Sequence, residues 1–260
     1  MYKILTFSFF DLIRSRWLFI YCGFYLVLAT GLFLISSAPS KVIISLMNIV
    51  LLLVPLIATL FGVMYYYNSR EFCELLLAQP VRRTHIFLGQ YMGIAISLSL
   101  SLVAGLGIPF LFYGLIGSGE MGNYLTLVLA GVFLSFIFSG LAFLVALRFE
   151  NRIKGFGVAI LVWLFFSVIY DGILLITMSV FSDYPLEKFA LAASVFNPVD
   201  LSRILILMKL DISALMGLTG AIFKNILGSG PGFWAAWVSL VLWMAIPLTG
   251  IRRVSLRKDF

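Results

Sequence analysis

A chain of 260 residues with 62% hydrophobic side chains, 11% charged ones and a formal charge of +7 departs from soluble domains, which carry roughly 45–50% apolar and about 25% charged residues. That composition belongs to a membrane protein and excludes a water-soluble enzyme. One histidine, two cysteines and the absence of any HExxH, CxxC or GxxxxGK[ST] spacing leave no catalytic, metal-holding or nucleotide-cradling motif, so no cofactor is expected in this chain.

Taken in order, residues 1–16, with the run TFSFFDLIRSRW, predict an amphipathic N-terminal helix. Six apolar stretches follow at 17–36, 42–67, 86–117, 123–147, 156–180 and 232–250, matching the about 20 residues a helix needs to cross the hydrocarbon. Backbone groups in lipid must pair within each segment, and the short alternating segments of a barrel are missing, so the spans are helices. The fold class is therefore an all-α integral membrane protein with six transmembrane helices, one domain over 1–260. The first stretch and Ser36-Ser37-Ala38 have the outline of a signal peptide, but the apolar run exceeds the roughly 7–15 residues of such a segment and is expected to remain as a span. Cys22 lies in a span and Cys73 in a loop, which predicts no disulfide.

Basic residues set the orientation. Lys3, Arg14 and Arg16, then Arg70, Arg82 and Arg83, then Arg148, Arg152 and Lys154, and finally Arg252, Arg253, Arg257 and Lys258 make thirteen of the eighteen Lys and Arg on one side. Both termini are expected in the cytoplasm. The net charge is then a matter of topology and an anionic lipid bilayer, and no nucleic-acid partner is needed.

The loop between spans two and three reads EFCELLLAQPVRR. On a helix over 71–79, Phe72, Leu75, Leu76 and Gln79 share one face, and Glu71, Glu74 and Ala78 another. Pro80 ends it, and Arg82 and Arg83 suit both the helix C-terminus and the inner leaflet. Helices that rest on lipid favour basic polar faces, so one bearing glutamates points to a protein groove.

Asp171 is the one ionisable residue inside a span. A charge there costs about 2.5–3.5 kcal/mol, so it is expected to face protein or water. A role in a pathway and a pairing with tyrosine or serine of a neighbouring helix both stand open, and no base lies within its own span. Pro55, Pro109 and Pro247 predict kinks. Met47, Met64, Met92, Met178 and Met244 are scattered over the spans and read as packing residues rather than copper ligands.

The segment 181–231 is expected to form helices outside the membrane. Asn197 can cap a helix that starts at Pro198, with Asp200 at its third position. Asp211 can cap a second helix carrying Ala214, Gly217, Gly220 and Ala221, which Gly228 ends. Their surplus apolar residues, among them Leu201, Ile204 and Leu205, suggest a protein interface or contact with the membrane surface.

The form E-x-x-x-L-L-L-x-x-P followed by arginines, after span two of six, resembles the coupling helix of ABC-2-type permeases. The amphipathic start and the missing ATPase domain fit that family. The run 196–232 and the tail RRVSLRKDF are similar to the membrane subunits of copper-processing ABC transporters that mature nitrous oxide reductase. The resemblance implies a non-catalytic permease of the bacterial inner membrane and a homodimer. It also implies two copies of a separate cytoplasmic ABC ATPase that carries ATP and Mg and docks on Glu71, Phe72, Glu74, Leu75, Leu76, Gln79, Arg82 and Arg83. A periplasmic β-helical protein would be held through Asn197, Pro198, Asp200 and Arg203. The alternatives are a generic exporter of a hydrophobic substrate and an ATP-independent secondary transporter, whose internal repeat is not evident.

Overall fold

The computed structural model describes residues 2–36, 38–78, 81–113, 119–181, 187–210 and 230–257. These form helices α1 (Tyr2–Ile13), α2 (Arg16–Ile35), α3 (Pro39–Asn68), α4 (Arg70–Leu77), α5 (Arg83–Phe112) and α6 (Met121–Arg148). Next come α7 (Arg152–Leu164), a π-helical turn (Phe165–Ile169) and α8 (Tyr170–Val180), then α9 (Glu187–Val195), α10 (Pro198–Lys209) and α11 (Gly230–Arg257). With α7, the π turn and α8 counted as one continuous stretch, six described helical stretches are long and apolar enough to cross a membrane. The protein is an all-α, multi-pass membrane protein.

Several spans outrun their apolar stretches, because a helix can continue into polar residues beyond the hydrocarbon. The fifth begins at Arg152 rather than 156, since the Asn151 side chain accepts the N–H groups of Ile153 and Lys154 at 2.9 and 3.4 Å and satisfies two otherwise orphaned donors. The sixth, expected to end at 250, continues as helix to Arg257. The third ends at Phe112 instead of Gly117, one turn after Pro109, and 114–118 lie outside the described residues. Pro55, Pro109 and Pro247 all sit inside helices; Thr59 Oγ1 donates to the Pro55 carbonyl at 2.7 Å.

The second, third and fourth spans form the centre, with 56%, 61% and 61% of their most apolar windows buried against 28%, 11% and 22% for the first, fifth and sixth. Between membrane helices the apolar effect is weak and close packing decides. The α3–α6 contact is built on that rule: a Cβ on Gly62 would lie 2.7 Å from the Ser139 carbonyl oxygen and 3.0 Å from the Ala142 Cβ. Gly62→Leu is therefore expected to lower the melting midpoint of the purified protein by the equivalent of about 1–3 kcal/mol. Gly23→Leu, where nothing lies within 4 Å, is the control and should melt like the parent.

Helix α1 is shorter than the expected 1–16. It buries Ser8 and Leu12 and lies along α5, where Gly89 meets Ile4 and Gly93 meets Ser8.

The expectation that 181–231 stands outside the bundle is corrected for its first half. Pro198, Val199, Asp200, Leu201, Ser202, Ile204, Leu205, Ile206 and Leu207 of α10 are all buried, with contacts to α3, α6 and α11. The turn between α9 and α10 reaches Phe166, the midpoint of Arg152–Val180, and α10 returns to the far end, where Lys209 approaches Gly122. α9 and α10 thus make a helical hairpin inserted among the spans. The apolar residues of α10 cover spans, Phe196 of the turn faces outward, and the irregular turn is tolerated at that depth because side chains of spans five and six and the Asn197 amide pair with its backbone and neighbouring carbonyls. The second outer helix, with Asp211, Ala214, Gly217, Gly220, Ala221 and Gly228, lies outside the described residues.

Candidate functional site

The expected helix between spans two and three is α4, Arg70–Leu77, with Ala78 closing it; Gln79 and Pro80 lie outside the described residues. Its orientation corrects the expected docking face. Phe72 stacks on Phe7 of α1 with ring centroids 4.8 Å apart. Cys73 is buried, and Leu76 and Leu77 pack against the core. The exposed side holds Glu71, Glu74, Leu75 and Ala78, at i, i+3, i+4 and i+7, which is one helical stripe. The sequence pattern grouped Leu75 with Phe72 and Leu76. The chain uses Phe72 and Leu76 to fasten α4 to itself and leaves Leu75 outward, 69% exposed.

What fastens α4 is polar as well as apolar. Gln90 of α5, fully buried, donates through Nε2 to Ser69 Oγ at 3.3 Å and accepts the Cys73 thiol at 3.3 Å on Oε1. Burial pushes the Cys73 thiol up, against the lowering effect of its hydrogen bonds to Gln90 and Ser69, which keeps it protonated as a donor. Arg70 and Glu74 pair at 3.1 Å, an exposed i, i+4 contact of small energy. α4 is thus a rigid platform with an acidic outer stripe and one leucine. Arg82 and Arg83 line a separate cleft with His85 and Arg252, to which no residue of α4 contributes.

The second cluster is at the hairpin. Asn197 caps α10 as expected: Oδ1 accepts Val199 N–H at 3.0 Å, and Pro198 occupies the first turn. Its Nδ2 donates to the Phe166 carbonyl at 2.9 Å and to Asp200 Oδ2 at 3.0 Å. Phe166 lies in the π turn, where i→i+5 pairing displaces backbone carbonyls from the α-helical ladder. Tyr170 donates to the Ala193 carbonyl at 2.6 Å and Trp243 Nε1 to that of Val195 at 3.0 Å, so side chains from spans five and six satisfy the end of α9.

Asp171 does have a basic partner, from outside its span. Arg203 Nη1 donates to Asp171 Oδ2 at 2.7 Å and to Asp200 Oδ1 at 3.2 Å. The side chains of Arg203, Asp171 and Asp200 are 32%, 25% and 8% exposed, so Asp200 is the inner member and the other two form an open edge. A single guanidinium tying one acid of span five to one acid of α10 is a joint between two elements. The structure brings Asn197, Pro198, Asp200, Arg203 and Asp171 together and separates them from the α4 platform. The assignment of Asn197 and Asp200 to a partner-binding face fails on burial, since both are inside.

Sequence reasoning missed Gln90, Cys73, Tyr170, Trp243 and the π turn. Gln90 was visible as a buried-type position bearing an amide in a span; nothing in FFSVI marks a π turn.

No family model matches the chain. It is 27% identical over 262 residues to the probable ABC transporter permease protein NosY of Stutzerimonas stutzeri, covering 92% of this chain and 91% of that protein. It is 24% identical over 254 residues to the protein of the same name in Pseudomonas aeruginosa, again covering 92% and 91%. Over nearly its whole length, then, this six-span chain is similar to permease subunits of ABC transporters, and that likeness supports a place among such permeases.

Proposed function

We propose that the protein is the permease subunit of a NosY-like, ABC-2-type transporter in a bacterial inner membrane, with both termini in the cytoplasm. Two copies form a homodimer, and two copies of a separate, NosF-like ABC ATPase carry the ATP and Mg. Hydrolysis is coupled mechanically to a periplasmic β-helical partner of the NosD type, in support of copper-site maturation of nitrous oxide reductase. The relatives' names support the broad reading, and the basic loops support the orientation.

The observation that carries the mechanism is α4: a short helix, locked to span three through Gln90 and Cys73, that turns Glu71, Glu74 and Leu75 outward. A force applied to that stripe passes into α5 without loss in a flexible loop. α5 contacts α6, and α6 contacts α10, so closure of the ATPases can reach the hairpin through packed helices that move as rigid bodies. Arg203 then serves as the joint that passes the shift to span five.

One spin label at Ala78, exposed at the end of α4, reports this directly. In the reconstituted complex, a two-fold dimer should give a single inter-copy distance that shortens when a non-hydrolysable ATP analogue binds. An unchanged distance, or the same change without the ATPase, would overturn the coupling. The second outcome would favour an ATP-independent transporter.

A further inference from the structure

α4 hangs from the end of α3 by a single residue, Ser69. That residue is pinned, since its N–H and its hydroxyl both donate to the Tyr65 carbonyl, at 2.9 and 2.8 Å. A push on α4 therefore reaches the last turn of α3 as well as α5, and what that turn holds decides where the push goes next.

The last turn of α3 holds the start of span five. Its Tyr67 donates the phenol hydroxyl to the Phe149 carbonyl at 2.7 Å, with the Asn151 carbonyl at 3.4 Å. Phe149 closes α6 and Asn151 caps α7, so one hydroxyl grips the backbone that connects spans four and five. The ring stacks towards Phe156, with centroids 6.3 Å apart and planes at 22°, an offset arrangement that aromatic pairs favour. It also sits on Gly155, which is buried although residues 151–154 beside it are exposed. A Cβ on Gly155 would collide with the hydroxyl and lie 2.9 Å from Cζ of the ring, so only glycine allows this approach.

Further along, α3 takes hold of the same span again, where Trp163 Nε1 donates to the Leu52 carbonyl at 3.3 Å. Beyond Leu164 the partners change. Phe166, Tyr170 and Asp171 are tied to Asn197, Ala193 and Arg203 of the hairpin. The change of partner falls at the π turn, where the α-helical ladder is interrupted and a helix can bend. Span five is thus held by α3 on one side of a bendable turn and by the hairpin on the other.

We propose that Tyr67 is a positioning residue of the coupling machinery: through Phe149 and Gly155 it makes the first half of span five move with the root of α4, so that this span is driven directly from the cytoplasmic side as well as through α5 and α6. The role rests on the reading of α4 as the contact of the ATPase.

The test uses the reconstituted complex with a non-hydrolysable ATP analogue and two spin-label positions, one at Ala78 and, in a separate protein, one at Ile153, 82% exposed in the first turn of α7. In the parent both inter-copy distances should change when the analogue binds. Gly155→Ala drives the ring and the hydroxyl off their seats together, and should abolish the change at Ile153 while leaving that at Ala78. Tyr67→Phe removes only the hydrogen bond and should diminish the Ile153 change; it decides alone if the glycine variant does not assemble. Gly157→Ala, on the same helix with nothing within 4 Å, should keep both changes. A merely structural role for Tyr67 would lower the melting midpoint and leave the two distances changing together. An Ile153 change undiminished in Tyr67→Phe and Gly155→Ala, or absent from the parent while Ala78 moves, would overturn the role of Tyr67. An Ala78 distance that stays fixed in the parent would instead overturn the ATPase coupling itself, and the role of Tyr67 would fall with it.

Discussion

Arg203→Ala is expected to destabilise the protein by about 3 kcal/mol, the lower end of the cost of breaking a buried ion pair, because the arginine keeps an open edge. The cost comes from what remains: Asp171 in span five would lose its cation and face the buried carboxyl of Asp200, whose proton affinity burial and the neighbouring Asp171 already raise. The Asn197 amide, already donating to Asp200 at 3.0 Å, compensates only one of the two. Removing Asp171 as well should recover much of the loss, since a charge then disappears along with its partner. Asp171→Asn alone should be mild, because an amide oxygen still accepts from the guanidinium. Thermal melting of the four proteins in one detergent gives the order: parent, Asp171→Asn, the double variant, Arg203→Ala. A melting midpoint for Arg203→Ala equal to that of the parent would remove the joint from the fold.

That joint shows where sequence reasoning ends. The six spans, the all-α class and the existence of α4 follow from length, hydropathy and one proline, all local quantities. So does the cap at Asn197, because Asn-Pro-x-Asp carries its whole mechanism within four residues. The hairpin's position does not follow, since α10 has charges at Asp200, Arg203 and Lys209 that read as an outer helix. Only the pairing of Arg203 with Asp171, 32 residues away in the chain, allows it to sit inside. The π turn that offers the Phe166 carbonyl to Asn197 has no composition to announce it. Likewise, which side of α4 faces outward depended on Phe7 of α1 claiming Phe72, a contact between segments with no shared pattern.

The orientation of α4 produces the largest expected effect on function. Leu75 is the one large apolar side chain on the exposed stripe, flanked by Glu71 and Glu74, and it has the form of an anchor for a pocket with a basic rim. Truncating or charging such an anchor typically costs 2 kcal/mol or more, about a 30-fold loss of affinity. Leu75→Asp is therefore expected to abolish co-purification of the ATPase while leaving yield, membrane insertion and melting unchanged, because the side chain touches little of its own chain. Leu76→Asp should behave differently. Its carboxylate would enter the packed side of α4 beside Cys73, where an unpaired charge is costly, so lower yield and a lower melting midpoint should accompany any loss of the ATPase. Glu71→Lys with Glu74→Lys should weaken docking in a salt-dependent way, by placing like charges against the basic rim. Co-purification of the ATPase at full yield with Leu75→Asp would show that α4 does not dock through its exposed stripe, and the coupling route from that stripe through α5 and α6 to the hairpin would have to start elsewhere.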